Sequence, residues 1–277
     1  MLPTVLTLQP IFEAARISLT LIFLFYASWS DYKSREVSNV VWIISAPVAF
    51  ALTFTELFFY YSSDTMLLYA VSFGFTTAFA LILFYAGGFG GADAKALMCI
   101  ALALPFYPQE LLNPLSGELS PISRMLFPIT VFSNAVILVV VPVAYIVLRN
   151  LYWRGKTGRK LFGEGHQNEP FWRKLLVLIT GYKLPLAKLK EKWHLYPLED
   201  IEENSENRFR RKLMIVSKDE GRDATVTRLT AAVESGKIQD GIWTSPGLPM
   251  LILITAGAII ALFYGDIVWI LVRLLLG

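Results

Sequence analysis

The sequence has little of what metal sites and disulfide scaffolds require. Its 277 residues include one cysteine, Cys99, and two histidines, His166 and His194. A single cysteine excludes an intrachain disulfide and any zinc site built from several cysteines. The two histidines are isolated in the chain, and a metal site built on them would need carboxylate ligands as well. We therefore expect no metal and no other cofactor.

Charge is also scarce. Only 17% of the residues are charged and 55% are hydrophobic, whereas soluble domains average about 25% charged and about 45–50% apolar residues. The apolar residues are concentrated in long runs, which is typical of membrane proteins. We predict an all-α polytopic membrane protein that is embedded in the lipid bilayer.

Six membrane spans are predicted, because a helix needs about 20 residues to cross the hydrocarbon layer. They cover residues 12–30, 39–57, 65–85, 93–106, 127–148 and 248–271. The fourth run is too short to cross alone unless the bilayer thins or protein surrounds it, and a re-entrant segment is the alternative. The first ten residues lack Lys and Arg, so we expect the first span to be retained rather than removed as a signal peptide.

One long polar segment, 149–246, is the only candidate for a soluble module. We predict a small α+β fold there, with strands at 212–216 and 241–244 and a helix at 224–235. The domain prediction is then a membrane domain at 1–148, the module at 149–246, and a last span at 247–277 that packs with the membrane domain.

The module also carries most of the positive charge. It contains 19 of the 25 Lys and Arg residues, but they match no nucleic-acid-binding motif, so we expect a solvated face near anionic lipid and no nucleic acid. Residues 171–179 mix aromatic, basic and apolar side chains, as an amphipathic interfacial helix does.

The distribution of Lys and Arg predicts the orientation. If the module is cytoplasmic, six spans also place Lys33, Arg35 and Lys95 on the cytoplasmic side and both termini outside. The predicted loop 56–64 contains acids and no Lys or Arg, which suits the outer face. Asp31, after the first span, and Asp93, before the fourth, then lie on the same side and are able to meet.

An acid between apolar runs is costly and is a candidate functional residue. Taken singly, Asp31 is an ordinary loop acid or a cap for the second helix, and Asp93 is a helix N-cap. As a pair, two close carboxyl groups share a proton. One can then take a proton from water while the other donates to a carbonyl oxygen, which is the chemistry of amide hydrolysis without a metal.

Glycines precede Asp93. Gly87, Gly88, Gly90 and Gly91 permit positive φ and close approach of a peptide, although a flexible turn between helices explains them equally well.

Positive charges flank both acids. We expect Arg35 and Lys95 to tune how the two acids share a proton, and the alternative is that these charges only set the topology.

Two segments, DYKSREVSN (31–39) and GGADAK (90–95), together resemble the type IV prepilin peptidase family, in particular archaeal members that process preflagellins. The resemblance covers most of the chain. It implies a membrane aspartic protease of the Gly-x-Gly-Asp type, with Asp31 and Asp93 as catalytic residues. It also implies that Gly90, Gly91 and Ala92 form the active-site loop. Ala92 stands where the family has glycine, and its methyl group restricts positive φ.

The family's substrates are pilin-like and flagellin-like precursors with a short basic leader and a hydrophobic helix. The resemblance implies cleavage of this leader at the cytoplasmic surface of the cell membrane, with Glu36 as a possible contact for the basic leader. The chain lacks the cysteine-rich insertion of many bacterial members, so no methyl transfer is expected.

The residues alone are also compatible with two other functions. Asp31, Asp93 and Lys95 could form an ion or proton path in a transporter or channel, although no repeat is visible in the sequence. Alternatively, the chain could be an inactive assembly scaffold of the same fold, an idea that Ala92 motivates.

Overall fold

A computed structural model of the chain describes residues 8–163, 165–203, 209–214 and 221–276. This part of the chain is mostly helical, with a few short strands near the C-terminus. It divides into two compact units. The first comprises Met1–Val139 with Pro249–Gly277, and the second comprises Val140–Leu248.

Helices are the only regular secondary structure among the described residues of the first unit. Its helices are α1 (Gln9–Ser34), α2 (Asn39–Tyr60), α3 (Ser63–Tyr85), α4 (Gly91–Ala103), α5 (Pro121–Met125), α6 (Phe127–Leu138), α11 (Met250–Phe263) and α12 (Ile267–Leu276). Helix α4 packs against α1, α2, α3, α6 and α11. Most of its residues are buried, so α4 is the centre of this unit.

Helices α6 and α11 approach each other closely at Gly257. A Cβ atom at that position would lie 2.6 Å from the Val131 carbonyl oxygen and 2.8 Å from the Ala135 nitrogen. These are backbone atoms, which cannot move aside as a flexible side chain can. Gly257 therefore sets the distance between the two helices, as small residues do where membrane helices cross.

Four helical segments of the described chain are long and apolar enough to cross a membrane, and α11 with α12 makes a fifth if the bent pair counts as one span. The four are Gln9–Ser34, Asn39–Tyr60, Ser63–Tyr85 and Phe127–Thr157. The prediction of six spans is thus not confirmed, whereas the prediction of a multi-pass membrane protein is. The difference lies in α4, whose 13 residues extend only about 20 Å against a hydrocarbon thickness of about 30 Å.

The predicted last span, 248–271, consists of two helices bent by 63°. The break lies at Gly265, which has a φ of 115° that favours glycine. Asn134 of α6 satisfies the interrupted backbone, since it donates to the Gly265 carbonyl (2.9 Å) and accepts from the Ile267 N–H (3.0 Å). Within this apolar unit, such pairing makes a broken helix tolerable.

The short helix α4 ends among polar side chains from its neighbours. The Ala103 carbonyl accepts hydrogen bonds from the Arg16 guanidinium (3.1 Å) and the Thr53 hydroxyl (3.2 Å). The Pro105 carbonyl, just beyond the helix, accepts from Ser72 (3.1 Å). The last carbonyls of a helix lack partners within the helix and are costly to leave unpaired away from water. Side chains of α1, α2 and α3 therefore stabilise a helix too short to reach both membrane surfaces.

Arg16 is also one half of a buried ion pair. Its guanidinium lies 2.8 Å from the Glu56 carboxylate, and both side chains are almost fully buried. Glu13, one turn before Arg16, accepts a hydrogen bond from the Leu111 N–H (2.9 Å). The prediction that Glu56 belongs to an outer loop is wrong, because α2 continues to Tyr60 and Glu56 faces the interior of the unit.

The second unit combines helices with two small sheets, in agreement with the predicted α+β module. Its helices are α7 (Val140–Thr157), α8 (Phe171–Thr180), α9 (Leu186–Glu191) and α10 (Arg222–Glu234), and its strands are β1 (Tyr182–Leu184), β2 (Tyr196–Pro197), β3 (Glu199–Glu203), β4 (Phe209–Leu213) and β5 (Ile242–Ser245). The antiparallel sheet has the order β1-β5-β2, and β3 pairs with β4. The predicted helix 224–235 corresponds to α10 and the predicted strand 241–244 to β5. The strand predicted at 212–216 overlaps β4, and its last two residues lie outside the described chain.

A buried acid, Glu199, lies at the centre of the second unit. It accepts two hydrogen bonds from Arg211 (2.5 and 3.1 Å), one from the Trp243 N–H (3.0 Å), and lies 2.7 Å from the His166 ring. Burial alone would raise the pKa of Glu199, but His166 and Arg211 together hold it below its usual value. His166, isolated in the sequence, is therefore part of a charged network in the fold.

Candidate active site

Asp31 lies in the last turn of α1, at the junction with α2. The helix ends at Arg35, whose backbone is left-handed with a φ of 56° and whose N–H donates to the Asp31 carbonyl (2.9 Å). A residue with a side chain adopts this conformation at a cost of about 1 kcal/mol. The Arg35 guanidinium acts electrostatically on the Asp31 carboxylate, so the turn places a positive charge beside the acid.

The turn after Asp31 is held by hydroxyl groups. Ser30 and Ser34 both donate to the Glu36 carbonyl, at 2.7 and 3.1 Å. Ser38 then caps α2 by accepting a hydrogen bond from the Val40 N–H (3.3 Å). The Glu36 backbone is thus fixed, while its side chain is exposed.

Asp93 lies in the first turn of α4. The N-cap of this helix is Gly90, and Asp93 is the third helical residue, so the alternative of Asp93 as N-cap is wrong. Its carboxylate instead accepts a hydrogen bond from the Gly90 N–H (2.9 Å). A carboxylate at this place satisfies a backbone donor and interacts favourably with the helix dipole. Capping therefore orients the Asp93 side chain.

The glycine segment before Asp93 is an ordered turn. Helix α3 ends with two hydrogen bonds, from the Gly87 N–H to the Phe84 carbonyl (3.0 Å) and from the Gly88 N–H to the Leu83 carbonyl (2.8 Å). This is a Schellman motif, which needs a left-handed residue after the cap, and Gly87 supplies it with a φ of 77°. Of the four glycines predicted to permit positive φ, only Gly87 uses it.

Ala92 is accommodated without backbone strain. It is the second residue of α4, and among the described residues Arg35 is the only non-glycine with positive φ. The methyl group of Ala92 packs, partly buried, against the core of the first unit. The restriction of positive φ that a methyl group imposes has no effect in a helical conformation.

The fold brings the two acids into one region. Helix α1 packs against α4, and Asp31 is close enough to act electrostatically on Asp93. Lys95 donates to the side-chain oxygen of Asn39 (2.7 Å), which ties α4 to the first residue of α2. Asn39 was not singled out in the sequence as a partner of Lys95, because no short-range pattern connects the two.

The predictions from sequence also did not include the residues that bind the C-terminal end of α4. Arg16 and Thr53 bind its last carbonyl, about 15 Å from Asp93 along the helix. Charged residues within apolar spans are rare and usually paired. Glu13, Arg16 and Glu56 were therefore a usable signal of a buried network.

Comparison with known proteins gives two family matches that together cover most of the chain. Residues 18–143 match the type IV leader peptidase family, and residues 173–267 match the archaeal peptidase A24 C-terminus, type II. The first match contains both Asp31 and Asp93. The second lies mainly in the second unit and ends at the start of α12.

Preflagellin peptidases are similar over nearly the full length. The protein of Methanococcus voltae is 29% identical over 253 residues, which cover 89% of this chain and 93% of the relative. That of Methanococcus maripaludis strain C6 is 27% identical, with 88% and 92% covered. That of Methanocaldococcus jannaschii is 26% identical, with the same coverage. The chain therefore belongs to the archaeal type IV prepilin and preflagellin peptidase family.

Proposed function

We propose that this protein is a membrane aspartic endopeptidase that removes short basic leader peptides from flagellin-like or pilin-like precursors. The observation that carries the proposal is the convergence of Asp31 and Asp93, from two separate helices, in a unit whose core is mainly apolar. The names of the relatives support leader-peptide cleavage.

In the proposed reaction, the pair holds one proton between its two carboxyl groups. The ionised carboxylate takes a proton from water, and the water oxygen attacks the scissile carbonyl carbon. The protonated carboxyl group donates a hydrogen bond to the carbonyl oxygen as negative charge develops there. The tetrahedral intermediate then collapses, the C–N bond breaks, and a proton passes to the leaving amine.

The positions of the two acids at helix ends favour cleavage at a membrane surface rather than at mid-membrane. Asp31 is in the last turn of α1 and Asp93 is in the first turn of α4. We assign this surface to the cytoplasm from the distribution of Lys and Arg, with both termini outside. The exposed Glu36, close to Asp31 in the chain, is a suitable contact for a basic leader, and Arg35 and Lys95 support the loop.

The direct test is cleavage by the purified full-length protein in detergent of a precursor that carries a basic leader and a hydrophobic helix. We expect one cut between the leader and the helix, detected by mass spectrometry, with no loss of rate in a metal chelator. With S-adenosylmethionine present, the new N-terminus should stay unmethylated. Ion flux in proteoliposomes without any cleavage would favour a transporter instead. If neither cleavage nor ion flux is observed, an inactive scaffold is favoured. The ordinary helical backbone of Ala92 weakens this alternative, because Ala92 was the reason for considering it.

Replacement of Gly90 tests whether the loop positions the Asp93 carboxylate. A Cβ atom at Gly90 would lie 3.1 Å from the Asp93 carboxylate oxygen, which is tighter than normal contact. Gly90→Ala should therefore displace the carboxylate and lower the rate of cleavage about tenfold, since small misplacements of reacting groups are costly.

The neighbouring Gly91→Ala is the matched control for this change. Its Cβ atom would lie 3.7 Å from the Phe84 ring, an ordinary contact, and we expect a rate within about twofold of the unchanged protein. Equal rates for the two variants, with equal thermal stability, would contradict the positioning role of Gly90.

A further inference from the structure

The second unit contains a cavity that the proposed reaction does not use. Its volume is about 670 Å³, and it lies between the segment that follows α7 and the loop before β5. Basic side chains dominate its charge. They are Arg159, Lys160, Lys183, Arg211 and Lys237.

The acids around the cavity do not cancel this charge. Arg211 is neutralised by Glu199 behind the wall. Asp240, the acid that lines the cavity, is engaged by two backbone donors, the N–H groups of Leu186 and Gly241, both at 2.8 Å. Asp240 keeps its negative charge but offsets only one cation, so Arg159, Lys160 and Lys183 together leave an excess of positive charge that attracts an anion.

Lys183 is the best placed of these cations. Its ammonium lies 5.0 Å from the Trp153 ring centroid and 5.6 Å from that of Trp243, within the range of cation–π attraction. Burial, together with the nearby Arg211 and Arg159, lowers the pKa of Lys183 to about 8, although Glu199 opposes this shift. A bound anion would offset the cost of holding an ammonium among other cations.

The surroundings of the cavity are typical of a water–lipid interface. Trp153 belongs to α7, within the last turns of the apolar segment Phe127–Thr157, and Trp is enriched at membrane interfaces. Helix α8, which packs against α7, exposes Phe171 and Trp172 beside Arg173 and Lys174. Exposed aromatic residues next to basic ones suit a helix that lies in the headgroup layer.

We infer that this cavity binds the phosphate group of an anionic phospholipid headgroup and so holds the second unit at the membrane surface. Several Lys and Arg side chains around one concave site suit a phosphate, and basic pockets next to membrane helices bind lipid headgroups. The residues that line the cavity belong to the second unit and include neither Asp31 nor Asp93, so the inference does not depend on the proposed peptidase activity.

The test is binding of dioctanoyl phosphatidylglycerol by the full-length protein in detergent, followed by native mass spectrometry. Dioctanoyl phosphatidylcholine and inorganic phosphate are the comparison ligands. We expect the anionic lipid to bind at least about tenfold more tightly than either. Lys183→Met keeps the length of the side chain against the two indole rings and should weaken binding about tenfold.

Three further variants make the result interpretable. Lys190→Met changes an exposed lysine outside the cavity and should leave binding unchanged. Lys183→Arg keeps the charge and should retain binding. Arg159→Gln, at an exposed position on the cavity wall, should weaken it independently of any folding defect at Lys183. Equal binding by the Lys183→Met and Lys190→Met proteins would overturn the site, and inorganic phosphate binding as tightly as the anionic lipid would overturn the lipid assignment.

Discussion

Replacement of either acid by its amide is expected to abolish cleavage. Asp93→Asn and Asp31→Asn should each lower the rate at least about a thousandfold, because neither variant retains a pair of carboxyl groups that can share a proton. The fold should persist in the Asp93 variant, since an asparagine oxygen can still accept the hydrogen bond that Gly90 donates to Asp93. Cleavage of a precursor by purified protein, followed by electrophoresis, measures the effect.

Asp64→Asn is the control for this pair. Asp64 is an exposed acid in the first turn of α3 and has no role in the proposed reaction. The Asp64 variant should cleave at the normal rate, and all three variants should have similar thermal unfolding midpoints. Normal cleavage by the Asp31 or the Asp93 variant would exclude the aspartic mechanism.

The largest effect on stability is expected at Arg16. Arg16→Met should lower the free energy of unfolding by about 3–5 kcal/mol, because it leaves the Glu56 carboxylate buried without its counter-ion. It also removes the donor to the Ala103 carbonyl at the end of α4. Thermal unfolding in detergent, followed by circular dichroism, measures the loss.

Two comparisons separate the ion pair from general effects of removing a charge. Arg124→Met changes an exposed arginine in α5 and should alter stability by less than about 0.5 kcal/mol. The double variant Arg16→Met with Glu56→Met should recover part of the loss, because it removes both charges and fills similar space. Equal destabilisation by the Arg16 and Arg124 variants would contradict the structural role of the ion pair.

Much of the helical architecture could be predicted from local sequence. Apolar runs of about 20 residues identified the first three spans to within a few residues, because hydrophobic length is a local property. The fourth run was correctly placed as a short helix but was counted as a span. Length alone cannot tell a crossing helix from one whose end is paired inside the protein.

The geometry of the candidate site was predictable only in part. The distribution of Lys and Arg placed Asp31 and Asp93 on one side, and the structure brings their helices together. The conformation of the glycine segment was not predictable, because glycine permits both signs of φ. We expected the methyl group of Ala92 to restrict positive φ, but Ala92 lies in α4 and has a helical backbone. Arg35, for which nothing in the sequence indicated it, adopts the left-handed conformation instead.

By itself, the sequence determined that this is a multi-pass membrane protein with acids beside two of its apolar runs and a charged module near its C-terminus. Composition and hydrophobic periodicity carry that information, because the tendency of a segment to enter the membrane depends mainly on its own residues. Only the tertiary structure decided the partners: Arg16 with Glu56, Lys95 with Asn39, and His166 with Glu199. These residues are distant in the chain, and their contacts exist only because the helices and strands pack in one particular arrangement.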